Sequence, residues 1–296
     1  MTIDRKTGKR FPRGARPTPR PKLAAAQPFY ATGAAPAQFA IVPAKLDVWG
    51  NADHGDCVSA EEAFAKACYS PEIFISSSVV IDWARRHGVL EGADLQEVMD
   101  FMQSDGFLVG DQRYNDGRYK TVDYGSESVL QAAIAQGPVK IAIDADALPA
   151  GAGNEMGWYD LGPGRWPNTD HCVSLSGYGL ANWLFPQLGV TMPHACDGLM
   201  GYLLFTWGTI GFVTHPWLMG TCVEAWVRLP TTIGVPPLTP APTPTPTPTP
   251  NFNALLTLSE DLKKGNYILL PNDAAHLASR EGMTPSQLVK ILALLV

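Results

Sequence analysis

The stretch Trp49-Gly50-Asn51-Ala52-Asp53-His54-Gly55-Asp56-Cys57-Val58 decides how the rest of the chain is read. A polar loop bracketed by glycines runs into one cysteine, and an Ala-rich run, Ser59 to Tyr69, follows at once with helical spacing. That puts Cys57 at a helix N-terminus, where unpaired backbone N–H groups and the helix dipole favour a thiolate. A thiol so placed needs a base, and the rest of the chain is read for a histidine brought to it.

On the C-terminal side of this loop the helices come first. Glu61 and Glu62 are expected in the first turn of the Cys57 helix, where acids suit the dipole, and Cys68 on its apolar side as a small core residue. A second helix is expected over Ser78–His87, stopping at Gly88, and a third from cap Asp94 to Ser104, with Leu95, Val98, Met99 and Met102 inward. A fourth runs from about Glu127 to Gln136 behind Ser126 and is broken by Gly137-Pro138. Strands follow at Val139–Asp144, Gly201–Trp207 and Thr221–Arg228, and Asp170-His171-Cys172-Val173 opens an apolar run that ends Gly177-Tyr178-Gly179. Helices then strands imply an α+β fold with two segregated halves.

The ends differ from the middle. Residues 1–22 hold eight Lys/Arg and one Asp, which leaves 14 basic and 27 acidic residues for the rest. Residues 1–38 read as a basic, disordered or extended arm, either a solvated tail or a tether to an acidic partner. The main domain, residues 39–231, is acidic, so nucleic-acid binding is not expected of it. Residues 232–250 form a linker whose Pro236–Pro250 run is nearly pure Thr-Pro, a polyproline II spacer reaching on the order of 45 Å at about 3.1 Å per residue. Residues 251–296 read as a small strand-helix-helix module.

Five cysteines in 296 residues are no disulfide framework. The apolar stretch Leu199–Gly220 is interrupted by Gly, Thr, His215 and Pro216, which suits buried strands and a turn, so no membrane span is expected. No apolar core follows the basic N-terminus, so no secretory signal is expected, and the chain reads as soluble. His54-x-x-Cys57, His171-Cys172 and His194-x-Cys196 offer metal-binding atoms without the paired spacing of a structural zinc site, and neither metal nor cofactor is expected. Trp158, Tyr159 and Trp166 belong either to an aromatic core or to the wall of a cleft.

Four blocks in order resemble the papain-like cysteine peptidases: Asn51…Gly55-Asp56-Cys57, Leu130…Gln136-Gly137-Pro138-Val139, Asp170-His171-Cys172-Val173…Gly177-Tyr178-Gly179, and Tyr202-Leu203-Leu204-Phe205-Thr206-Trp207-Gly208. The resemblance spans about residues 38–230. It implies a helical half carrying Cys57 and a β half carrying His171. It further implies a thiol hydrolase acting on peptide or amide bonds, with Cys57 as nucleophile, His171 as base and acid, Asn51 as oxyanion donor and Trp207 shielding the histidine. The family's histidine-orienting Asn falls at or beside Phe205 or Thr206, and Thr206 offers a hydroxyl in its place. Asp170 has a counterpart in the family that does not orient the ring. The family's small residue before the nucleophile is here Asp56, whose charge opposes a thiolate. These departures keep open a second reading, a catalytically silent papain-like module with a binding or structural role. The C-terminal run Tyr267…Asp273…Leu277-Ala278…Arg280…Gly282…Thr284…Gln287-Leu288 resembles in part a LysM peptidoglycan-binding module and in part a ribbon-helix-helix segment. Such an architecture suits a bacterial or phage protein at a cell surface, cell wall or virion particle, with the module meeting that partner.

Overall fold

In the computed structural model, residues 2–163 and 168–229 are described. Trp166, the Thr-Pro linker and the C-terminal module lie outside them; the chain divides between Pro240 and Ala241, within the Thr-Pro stretch. The helical half comes first. It holds α1 (Arg20–Ala25), α2 (Cys57–Ala67), α3 (Ser77–Arg86) and α4 (Leu95–Ser104). A short parallel pair, β1 (Ala15–Arg16) with β3 (Ala93–Asp94), and a hairpin, β4 (Phe107–Val109) with β5 (Gln112–Tyr114), lie beside them.

The β half is an eight-stranded sheet among the described residues. Its strands are β2 (Phe39–Ala40), β6 (Tyr119–Thr121), β7 (Val139–Ile143), β8 (Tyr159–Asp160), β9 (His171–Leu180), β10 (Met200–Thr206), β11 (Thr209–Val213) and β12 (Cys222–Arg228). They run in the order β6-β12-β7-β9-β10-β11-β8, with β2 on the far end of β9. Between them come α5 (Glu127–Ile134), α6 (Ala181–Gln187) and α7 (His215–Thr221). Strand β8 pairs parallel with β11, and the other strand pairs among the described residues of this sheet are antiparallel.

Strand alternation sorts the sheet's side chains onto two cores. Ala142, Cys172, Leu203 and Phe205 face the helical half; Ile141, Ile143, Val173, Leu175, Tyr202 and Leu204 face the opposite core. Helix α2 lies against β9 with every residue buried, as an Ala-rich helix between two layers must. Asp94 caps α4 by accepting from the Glu97 amide at 2.7 Å. Asp56 and Ser126 stand at cap positions without a side-chain capping bond. Two elements depart from expectation. Residues 181–187 form a helix where the sequence marks no element, and 215–221 form a helix rather than a turn. Glu61 and Glu62 lie beyond the first turn of α2 and are buried among cations.

Candidate active site

Cys57 opens α2 at the end of a loop that the backbone ties tightly. Trp49 and Gly50 take positive φ, +48° and +97°, and the Asn51 and His54 amides donate back to Val48 and Gly50 carbonyls. Trp49 anchors the loop by donating its indole N–H to the Ile75 carbonyl at 2.7 Å. One Asn51 side-chain N–H goes to the His54 carbonyl at 2.8 Å. The Cys57 sulfur is buried, and the backbone of Cys172, Gly14 and Ala15 reaches it and favours its ionised form. Burial outweighs them and pushes the thiol up to about 11. Asp56 is buried, and burial raises its pKa to about 8 against the weaker pull of its own backbone N–H and of the Asn51 amide. It is therefore largely uncharged at neutral pH, which removes most of the repulsion it would exert on a thiolate.

His171 is the first residue of β9, next to the Cys172 whose backbone meets the thiol. Its Nε2 lies 2.7 Å from Thr206 Oγ1, and its Nδ1 is buried with no partner. Thr206 ends β10, and Thr206 and Thr209 face each other across the hairpin. The two residues between them, Trp207 and Gly208, both take positive φ, +41° and +76°, the signature of a tight type I′ hairpin turn. That turn lays the Trp207 ring flat on His171, centroids 4.2 Å apart. Phe205 points the other way and stacks on Phe64 of α2 at 4.0 Å, so of the two residues it is Thr206 that meets the histidine. Burial, followed by the nearby Arg13 charge, lowers the His171 pKa to about 3.

The N-terminal arm lies over both residues rather than standing free in solvent. Ala15 donates its N–H to the Asp170 carbonyl at 3.1 Å, and the Ala93 N–H reaches the Gly14 carbonyl at 3.0 Å. A Cβ on Gly14 would collide with the Gly55 carbonyl oxygen, so only glycine fits there. Phe11 stacks on the outer face of Trp207 with centroids 4.7 Å apart. Arg13 reaches Asp170 at 2.7 Å and Asp146 at 2.5 Å, and the Thr18 N–H donates to Glu224 at 2.9 Å. Thus His171, Thr206 and Trp207 form one buried cluster, the backbone of Cys172 next to His171 lies by the buried Cys57 thiol, and Asp170 faces Arg13.

No protein-family model and no curated protein matches the chain. Solved structures do. Xylellain, a cysteine protease from Xylella fastidiosa, matches with a TM-score of 0.52 at 13% identity, over 75% of this chain and 98% of that one. The fold is papain-like. Digestive procathepsin L 3 of Tenebrio molitor matches at 0.48 and 16% identity, over 69% and 73% of the two chains. Bromelain from Ananas comosus in complex with E64 matches at 0.47 and 15%, over 66% and 100%.

Within this papain-like fold, sequence reasoning missed the arm residues Phe11, Arg13 and Gly14. A signal was there: an aromatic, a basic residue and a glycine within four positions of a basic tail that faces an acidic body. Asp146 was also missed, and nothing local marks it. All five cysteines are free and buried, and among the described residues no three His, Cys, Asp or Glu side chains converge as metal ligands. Trp158 is buried and donates to Thr209 Oγ1 at 3.0 Å, a core role, whereas Tyr159 is exposed. Among the described residues no helix is long and apolar enough to cross a membrane; Leu199–Gly220 supplies β10, β11 and α7.

Proposed function

We propose that this chain is a papain-like thiol hydrolase of peptide or amide bonds, held in a closed form by its own arm. Cys57 Sγ attacks the substrate carbonyl carbon. The oxyanion that forms is held by the Cys57 backbone N–H and by the second N–H of the Asn51 side chain, which turns from the Asp56 carboxyl to the substrate while the first stays on the His54 carbonyl. His171 takes the thiol proton and gives it to the leaving amine, and water then hydrolyses the thioester. Thr206 and Trp207 position the ring. The observation that carries the reading is the imidazole itself: Nε2 bonded to Thr206, a face covered by Trp207, and Nδ1 buried without a partner. A hydroxyl accepting from Nε2–H leaves Nδ1 as the basic nitrogen.

With the arm in place the pair is dormant, because a thiol near 11 and an imidazole near 3 do not exchange a proton at neutral pH. Both shifts come first from burial, and the arm supplies part of the cover. The test is the pH profile of Cys57 alkylation by iodoacetamide, read by mass spectrometry, in the full chain and in Gly14→Val, whose side chain cannot sit against Gly55. Gly14→Val should label at Cys57 well below the pH of an ordinary thiol and should cleave unstructured peptides, and His171→Ala added to it should abolish both. The second reading, a silent papain-like binding module, is favoured by a thiol that burial holds up at about 11 and by a hydroxyl, that of Thr206, as the partner of the imidazole. If Cys57 in Gly14→Val labels no faster at pH 7 than the cysteines of the denatured chain, that second reading stands.

A further inference from the structure

Arg13 is held in a way that the arm itself does not account for. Its guanidinium is nearly buried and bridges two carboxylates from separate elements: Asp170, just before β9, and Asp146, in the single 3-10 turn Ala145–Ala147 that follows β7. Both acids are oriented by the body. Asp170 Oδ1 accepts from the Ala145 N–H at 2.9 Å, which turns Oδ2 to the guanidinium. The Asp146 N–H donates to Asp144 Oδ1 at 2.8 Å, which fixes the turn that carries it. The residue after Arg13 already touches the Cys57 sulfur, and Arg13 lies close enough to His171 to lower its pKa. The other charge at this point is Arg10, 3.4 Å from Asp146. Arg10 and Arg13 both belong to the arm, so its displacement leaves the two carboxylates without these cations, and the way Nη1 meets Asp170 while Nη2 meets Asp146 suits a planar fork better than a point ammonium.

We infer that Asp146 and Asp170 form a subsite for the arginine side chain of a peptide substrate on the histidine side of the thiol, which Arg13 fills in the closed chain. The inference rests on the cleft being a peptide-binding site, as proposed above, and not on its being an active enzyme. The arm then blocks the site by presenting what the site selects, with Gly14 and Ala15 at the sulfur. A plain structural ion pair would show the same contacts, so the test must empty the pair and offer it a substitute.

Full-length Gly14→Val carrying Cys57→Ala cannot turn a peptide over, and circular dichroism checks that it is folded. It is titrated with fluorescein-labelled hexapeptides that differ at one position: Arg, Lys, Leu or Glu. The Arg peptide should bind about tenfold tighter than the Leu peptide, a difference of about 1.4 kcal/mol, with Lys between them and Glu weakest. Adding Asp146→Asn or Asp170→Asn should level Arg with Leu. Arg13→Leu in place of Gly14→Val gives the same comparison if the valine variant misfolds. Equal binding of Arg and Leu peptides, a preference that survives both Asn variants, or no binding of any peptide overturns the inference. Arg-selective binding in a protein whose cysteine-intact form cleaves nothing would leave the subsite standing and remove the hydrolase reading alone.

Discussion

Thr206 meets His171 Nε2 through a hydroxyl, at 2.7 Å. A hydroxyl can hold the imidazole in place but brings no charge to stabilise an imidazolium. In Gly14→Val, adding Thr206→Val should therefore lower kcat by roughly tenfold to a hundredfold, short of the ~10⁴ that follows loss of a buried orienting carboxylate's charge. Thr206→Asn should retain more activity than Thr206→Val, since its amide oxygen can accept from Nε2–H. Steady-state kinetics on one peptide decides this, and equal kcat for Thr206→Val and its parent would deny Thr206 any part in positioning. Asp56 makes a different prediction. The folded chain keeps its proton to about pH 8 and the unfolded chain only to 3.8. Between those values the folded state binds the extra proton, so stability falls as pH rises, with a limiting slope of about 1.4 kcal/mol per pH unit. Asp56→Asn removes that slope. Its Tm advantage over the parent should be small at pH 5 and grow to pH 8; a constant gap would mean that Asp56 ionises normally. The polar loop before Cys57 was legible as a reactive-cysteine entry. The choice between Phe205 and Thr206 was not, because one strand residue either way reverses the face and only the hairpin register decides it.

At the scale of elements, α2 is held to the sheet by charges that the sequence disguises. Glu61, Glu62 and Lys66 of this helix meet Lys140 of β7, Arg228 of β12 and Asp116, three anions against three cations with almost no solvent. The neighbouring cations Arg228, Lys140 and Lys66 hold the Glu62 carboxyl down at about 2 despite burial. A depressed acid contributes stability above its unfolded pKa and loses it as pH falls towards 2, so acid unfolding should begin in this layer. Removing one partner is the sharper test. Lys140→Met leaves Glu61 and Glu62 short of a cation and should cost about 3–5 kcal/mol, read as a fall in the urea midpoint at unchanged m. A change under about 1 kcal/mol would mean that the network relaxes or water enters. Read locally, Glu61 and Glu62 look like acids serving a helix dipole, because their cationic partners Lys140 and Arg228 lie far away in sequence. The helices α2 to α5 and the strands β7, β9, β10 and β12 were legible from periodicity, caps and Gly-Pro breaks. Helix α6 was not: seven residues with Pro186 inside carry too little pattern to stand out from a loop.

For the whole molecule, a basic arm meeting an acidic body raises the question of which force keeps the arm down. Charge contributes through Arg13, nearly buried on Asp146 and Asp170 and so little screened, and through Arg5–Glu155, Arg10–Asp146 and Arg16–Glu97, at 3.4, 3.4 and 3.6 Å, all three with exposed arginines. The exposed pairs are worth about 0–1 kcal/mol each and are screened over a Debye length of about 10 Å at 0.1 M salt. Apolar contact contributes through Phe11, 4% exposed between Trp207 and the body, and truncating a buried Phe costs about 3–5 kcal/mol in a core. The aromatic contact should therefore outweigh the exposed ion pairs taken together. Because Cys57 must be uncovered before it reacts, its alkylation rate at fixed pH reports the open fraction when closing is fast. Raising NaCl from 0.05 to 0.5 M, roughly a threefold shortening of the screening length, should speed labelling by only a few-fold. Phe11→Ala at low salt should speed it by about a hundredfold, the change that about 2.7 kcal/mol produces. If salt accelerates labelling as much as Phe11→Ala does, the arm is held chiefly by charge and opens with ionic conditions. If neither changes the rate, the cover over Cys57 comes from the body, and the arm's place across the site is not what keeps the thiol dormant.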